Sequence, residues 1–78
     1  MTNQQIAAVT GVTGYVGGRL VPELLRAGFA VRGIARNPKR LRDRPWRSQI
    51  EVAEADLTDP EATRAALEGV DVAYYLVH

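Results

Sequence analysis

Three glycines at intervals of three, Gly11, Gly14 and Gly17, lie between a short apolar run, Ile6 to Val9, and a stretch with helical apolar spacing. A strand that ends in such a turn and opens a helix aims unpaired backbone N–H groups and the positive helix end at one point, where an anion is favoured. Each glycine then has its own task. Gly11 permits the tight turn out of the strand, Gly14 lets backbone approach a pyrophosphate where a Cβ would intrude, and Gly17 lets the helix pack close to the sheet. The spacing differs from the commoner G-x-G-x-x-G, and a glycine triplet alone is compatible with a purely structural turn; its position between strand and helix is what points to a nucleotide. Thr13 either donates its hydroxyl to a phosphate or ties the turn to its own backbone. Tyr15 and Val16 open the helix and offer backbone N–H groups, the Tyr15 side chain reading as a partly buried packing residue rather than a catalytic acid.

About twenty residues past the glycines, an acidic residue would accept from a ribose 2′-hydroxyl. Arg36 stands there instead, no acid lies between Glu23 and Asp43, and Lys39 and Arg40 follow closely. Guanidinium groups suit a 2′-phosphate, so the pattern favours NADP over NAD. The basic run is wider than one phosphate requires. From Arg32 to Arg47 there are seven basic residues against Asp43, a charge of +6 on a chain whose net charge is +1. A nucleic-acid patch with Trp46 as a stacking ring is the alternative; the single interleaved aromatic and the acidic remainder speak against it, and no nucleic-acid partner is expected. Further on, Asp56 either accepts from an adenine amino group, with Leu57 pressing on the ring, or organises the turn before Asp59-Pro60. Leu76, Val77 and His78 close the last strand, at the carboxyl edge where open α/β sheets bind ligands. No nucleophile and base pair, paired catalytic carboxylates or metal-ligand cluster can be assembled, so no catalytic residue is expected.

The elements that must position these groups follow from periodicity. Ile6 to Thr10 reads as a buried strand, and Val16, Leu20, Val21, Leu24 and Leu25 form the core face of the following helix. Pro22 inside it deletes the hydrogen bond to the Gly18 carbonyl, which predicts a kink. Gly28 ends the helix and Phe29 to Ala35 is a second strand. Asn37-Pro38 reads as an N-cap and N1 pair for a helical turn to Arg42, with a loop from Arg42 to Ser48. Gln49 to Ala53 is a third strand, Asp59-Pro60 caps a helix to about Glu68, Gly69 stops it, and Asp71 to Val77 is a fourth strand. This alternation implies an α/β, Rossmann-like, three-layer fold with a parallel sheet in the order 3-2-1-4. The fourth strand would present a bare outer edge, with Tyr74, Tyr75 and Leu76 beside it, open to self-association or to a covering element.

The chain has 78 residues, 46% hydrophobic and 24% charged, with no cysteine. That composition is globular rather than disordered or membrane-spanning, and it excludes disulfides and cysteine-bound metals. Residues 1–5 lack the basic flank of a signal peptide, so a cytoplasmic location is expected. A dinucleotide fold of two halves needs about twice this length, so residues 1–78 are expected to be the N-terminal portion of one such domain.

The run Thr10-Gly11-Val12-Thr13-Gly14-Tyr15-Val16-Gly17, with Arg36, Asp56-Leu57-Thr58-Asp59 and Gly69-Val70-Asp71-Val72 leading to Leu76-Val77-His78, resembles the N-terminal half of the extended and atypical short-chain dehydrogenase/reductase superfamily. The NmrA-like, sugar-epimerase-like branch is the most similar. That resemblance implies a pyrophosphate held by Gly11, Thr13, Gly14, Tyr15, Val16 and Gly17, a 2′-phosphate at Arg36, adenine at Asp56 and Leu57, and the ribose nearer the nicotinamide at Leu76 and Val77. The superfamily's Tyr-x-x-x-Lys lies beyond the fourth strand, and Tyr74 and Tyr75 have no lysine after them. The implied function is the cofactor segment of an oxidoreductase or epimerase, the alternative being a non-catalytic NADP(H)-sensing or interaction module.

Overall fold

The computed structural model describes residues 4–12 and 14–76. Thr13, Val77 and His78, singled out above, lie outside the described residues. Strand β1 (Ile6–Thr10) leads through the glycine turn into helix α1 (Tyr15–Arg26), and strand β2 (Ala30–Ala35) follows. Two short 3-10 turns (Pro38–Leu41 and Arg47–Gln49) precede strand β3 (Glu51–Glu54), helix α2 (Pro60–Ala66) and strand β4 (Val72–Tyr74). All pairings are parallel and the order is β3-β2-β1-β4, as the alternation of elements predicts. Among the described strands β4 pairs only with β1.

Alternation along β1 separates the two faces of the sheet. Ala7 and Val9 point into one apolar cluster with Val12, Val21, Leu24, Leu41, Trp46 and Ile50, whereas Ala8 joins Ile34, Ala55 and Ala66 in a second. Helix α1 covers the first face and α2 the second, which gives the three layers. At the end of α1 the Ala27 N–H reaches the Glu23 carbonyl, and Gly28 follows with φ +96°. Asp59 caps α2 as expected, accepting from the N–H groups of Glu61 at 3.0 Å and Ala62 at 3.2 Å. The far end of α2 is held from the sheet. Arg32, on the α2 face of β2, donates to the carbonyls of Ala66 at 2.8 Å and Glu68 at 2.6 Å and pairs with Glu51 at 2.8 Å. Arg32 is therefore a structural clamp and not part of a solvated basic run.

Several expectations are corrected. The Asn37 side chain makes no capping bond. Strand β3 begins at Glu51 rather than Gln49, because the Gln49 N–H closes a turn onto the Trp46 carbonyl at 2.9 Å. Strand β4 is shorter than predicted, and beyond Tyr74 a side chain takes over the pairing, as described below. Val16 is 60% exposed and Tyr15 75% exposed, so the first two residues of α1 stand clear of the core that Val21 and Leu24 join. Tyr15 does not pack into the core; its hydroxyl accepts from Arg19 at 2.8 Å, one turn along.

Candidate functional site

The turn after β1 is built as its spacing suggests. Gly11 has φ +67°, the left-handed region that costs other residues dearly. Its carbonyl accepts from the Gly14 N–H at 3.0 Å, and the Gly14 carbonyl from Gly18 N–H at 2.9 Å, which starts α1. Gly14 is the N-cap residue, with φ −84° and no side chain over the first turn. A Cβ on Gly17 would stand 2.3 Å from the Gly11 carbonyl oxygen. Gly17 thus sets the approach of the helix to the turn itself, a tighter constraint than helix against sheet. The outcome is a tight turn at the carboxyl end of β1 that leads straight into the helix N-terminus.

The packing of β4 against this turn depends on Thr10, a residue outside the sequence-based site. It is the buried polar residue at the end of β1, 3% exposed. Its hydroxyl accepts from the Leu76 N–H at 2.9 Å and donates to the Tyr74 carbonyl at 3.3 Å. The backbone pairing of β1 with β4 ends at Val9 and Tyr74, so the Thr10 side chain continues it. Leu76 is thereby pressed on the turn, its carbonyl oxygen 2.4 Å from where a Gly11 Cβ would be. At the opposite end of the same strand pair Asp71 mirrors this, its carboxylate accepting from the Ile6 N–H at 2.8 Å. A polar residue closing an apolar strand is the sequence signal, since a buried hydroxyl must find partners. Replacing Thr10 with valine keeps the shape but strands one donor and one acceptor. A loss of about 1–3 kcal/mol is expected, and with it a melting temperature several degrees lower in a thermal scan; an unchanged midpoint would refute the role.

Arg36 is exposed just beyond β2, and Asp56 follows β3 at the neighbouring strand end. One Asp56 oxygen accepts from the Thr58 N–H at 2.9 Å and from its hydroxyl at 2.7 Å. These two bonds, and after them the Arg36 charge, hold the Asp56 carboxyl below its ordinary value. The turn-forming reading of Asp56 is thus realised, and it leaves the second carboxylate oxygen without a partner among the described residues. Because folding lowers this value, the turn contributes stability above the carboxyl's unfolded value and loses it as the pH falls through the depressed one. A carboxyl NMR titration is expected to give Asp56 a midpoint below that of a free aspartate. Leu57 is half-buried and packs against the second core cluster. Lys39, Arg40 and Arg42 are exposed on the segment after Arg36, and none of these four cations makes an ion pair among the described residues.

Trp46 corrects the alternative in which it stacks on a base. It is 6% exposed, packed in the first core cluster, and its indole N–H donates to the Gly18 carbonyl at 3.1 Å. That carbonyl is the one Pro22 deprives of a helical partner. A buried ring offers no stacking platform, so the nucleic-acid reading loses its only aromatic. No helix among the described residues is long and apolar enough to cross a membrane, and among them no group of three or more His, Cys, Asp and Glu could hold a metal ion.

A parallel sheet in the order β3-β2-β1-β4, with a glycine turn feeding a helix N-terminus at the first crossover, defines a Rossmann-type nucleotide-binding unit. A family model described as NAD(P)H-binding matches residues 11–77, and the chain belongs to that family. A 3β-hydroxysteroid dehydrogenase/Δ5→4-isomerase of Mycobacterium tuberculosis is 40% identical over 67 residues, covering 86% of this chain and 17% of the relative. Vestitone reductase from alfalfa (Medicago sativa) superposes with a TM-score of 0.74 at 27% identity, over 92% of this chain and 24% of that one. A short-chain dehydrogenase/reductase superfamily protein from Agrobacterium tumefaciens, with NAD bound, gives 0.69 at 32% identity, over 94% and 20%. The chain therefore spans about a quarter or less of the length of these proteins.

Proposed function

We propose that these residues are the NADP(H)-preferring cofactor segment of a short-chain dehydrogenase/reductase-type oxidoreductase or epimerase. The pyrophosphate meets the glycine turn of Gly11, Gly14 and Gly17 and the backbone N–H groups of Tyr15 and Val16, and the family resemblance adds Thr13 to this set. The 2′-phosphate meets Arg36, with Lys39 and Arg40 nearby, the adenine runs along Asp56 and Leu57, and Leu76 and Val77 flank the inner ribose. The single observation that carries the preference is Arg36 itself, exposed at the end of β2 where an acid would serve an unphosphorylated ribose. The free Asp56 oxygen fits an adenine amino group, and the Gly14 N-cap leaves room for backbone contact with phosphate.

When bound, the cofactor supplies the hydride chemistry; the residues of this chain bind and orient it. Relatives named as a dehydrogenase and reductases favour an oxidoreductase over a non-catalytic sensor. A cytoplasmic location, compatible with a chain that has no cysteine, goes with this reading. Calorimetric titration of NADPH and NADH into the chain is the test. Tighter binding of NADPH is expected, and equal affinities would remove the preference.

A further inference from the structure

Trp46 joins two parts of the site by a directional bond. On one side is α1, whose first turn follows the glycine turn. On the other is the segment from Asn37 to Gln49, which carries Lys39, Arg40 and Arg42. Consecutive backbone turns give that segment its shape: Arg40 N–H to Asn37 O at 3.1 Å, Arg44 N–H to Leu41 O at 3.0 Å, Arg47 N–H to Arg44 O at 3.1 Å and Gln49 N–H to Trp46 O at 2.9 Å. Such local bonds do not decide where the segment lies. Two of its anchors are Leu41, fully buried, and the Trp46 N–H on the Gly18 carbonyl at 3.1 Å. Pro22 is what leaves that carbonyl free to accept.

We propose that Trp46 is a positioning residue for cofactor discrimination, its indole tethering the cation-bearing segment to the phosphate-facing helix through the carbonyl that Pro22 vacates. The inference rests on the NADP(H) reading above. Lys39, Arg40 and Arg42 have no ion-pair partner among the described residues, so backbone placement alone sets how much positive charge stands near Arg36. Loosening the tether spreads that charge over more positions and weakens its attraction for a 2′-phosphate, while NADH, which has none, is indifferent.

Two variants separate this role from simple structural support. Trp46→Phe keeps an aromatic ring in the core but deletes the donor and some buried volume, so it loses both the tether and the satisfaction of the Gly18 carbonyl. Adding Pro22→Ala restores a backbone N–H to that carbonyl and makes the helix whole without restoring the tether. Calorimetry with NADPH and NADH, together with thermal unfolding, is expected to show a lower melting temperature in Trp46→Phe and partial recovery in the double variant, the volume lost with the indole staying lost. The preference for NADPH should fall roughly fivefold in both. A preference that returns with the melting temperature, or that never changes, overturns the proposal. In the unmodified chain, NADPH should slow exchange of the indole N–H proton more than NADH does, measured by NMR at saturation; equal protection overturns it without any variant. Equal affinities for the two cofactors in the unmodified chain overturn the NADP(H) reading and this inference together, a result distinct from the others.

Discussion

Gly17→Ala is expected to lower the melting temperature by ten degrees or more, whereas Gly18→Ala, one residue along, is expected to leave it unchanged or raise it. Both substitutions gain about 1 kcal/mol of helix propensity, so the difference lies in what the new methyl meets. At Gly17 it would stand 2.3 Å from the Gly11 carbonyl oxygen, 2.9 Å from the Gly11 carbonyl carbon and 2.9 Å from the Val12 Cα, all backbone. The turn cannot retreat, since the Leu76 carbonyl oxygen lies 2.4 Å from the position of a Gly11 Cβ and Thr10 bonds hold Leu76 there. Helix α1 must move instead, and with it Val21 and Leu24 in the core. Overpacking of this kind costs about 3 kcal/mol or more, against a total stability of about 4–12 kcal/mol for a chain of this size, and each kcal/mol moves the midpoint by about 4–8 °C. At Gly18 the nearest atoms are the Val12 carbonyl oxygen at 3.9 Å and Trp46 Cζ2 at 4.0 Å, ordinary contacts that leave the propensity gain intact. Thermal unfolding by circular dichroism decides it, and similar midpoints for the two variants would mean that Gly17 does not set the helix position.

The same contrast shows what a sequence can reveal of such a site. Strand order, both helices and the glycine turn were legible because they follow from short-range patterns: apolar alternation, a 3.6-residue stripe, and glycine or Asp-Pro punctuation at the ends. Pro22 was legible as the loss of a bond to Gly18, yet not its replacement, because the donor sits on a separate loop, 28 residues away from the acceptor along the chain. A stacking role for Trp46 in the basic run is the disfavoured alternative from sequence, and long-range packing, which makes the ring core, is what removes it. Arg32 departs from the solvated run for a related reason: a charge run read in one dimension does not say which face of the strand each cation takes. Thr10 closes an apolar strand as an unobtrusive polar residue, and its importance exists only once β4 lies beside β1. Val16 and Tyr15 failed differently, since helical periodicity assigns a face but not whether the core reaches the first two residues of the helix.

Arg36→Glu is expected to cost more cofactor affinity than any other side-chain replacement in the proposed site, and to do so for NADPH alone. A charge-assisted hydrogen bond to a phosphate is worth about 1.5–3 kcal/mol, or about ten- to a hundredfold in affinity before the added repulsion. NADH, with a ribose hydroxyl that a carboxylate can accept from, should bind equally or more tightly, so the preference inverts rather than fading. Calorimetry of both cofactors reads this directly; parallel losses for NADPH and NADH would mean that the variant harms the fold and not the phosphate contact. Asp56 supplies a check that needs no cofactor. Arg36 lowers its carboxyl value through space, after the two Thr58 bonds that do most of the work. A negative charge in place of the guanidinium reverses the sign of that influence, so the Asp56 midpoint must rise in an NMR titration, while the Thr58 bonds, being local, persist. An unmoved midpoint would mean that the Arg36 charge, the smallest of the influences on this carboxyl, does not reach it, and that the two Thr58 bonds alone lower its value.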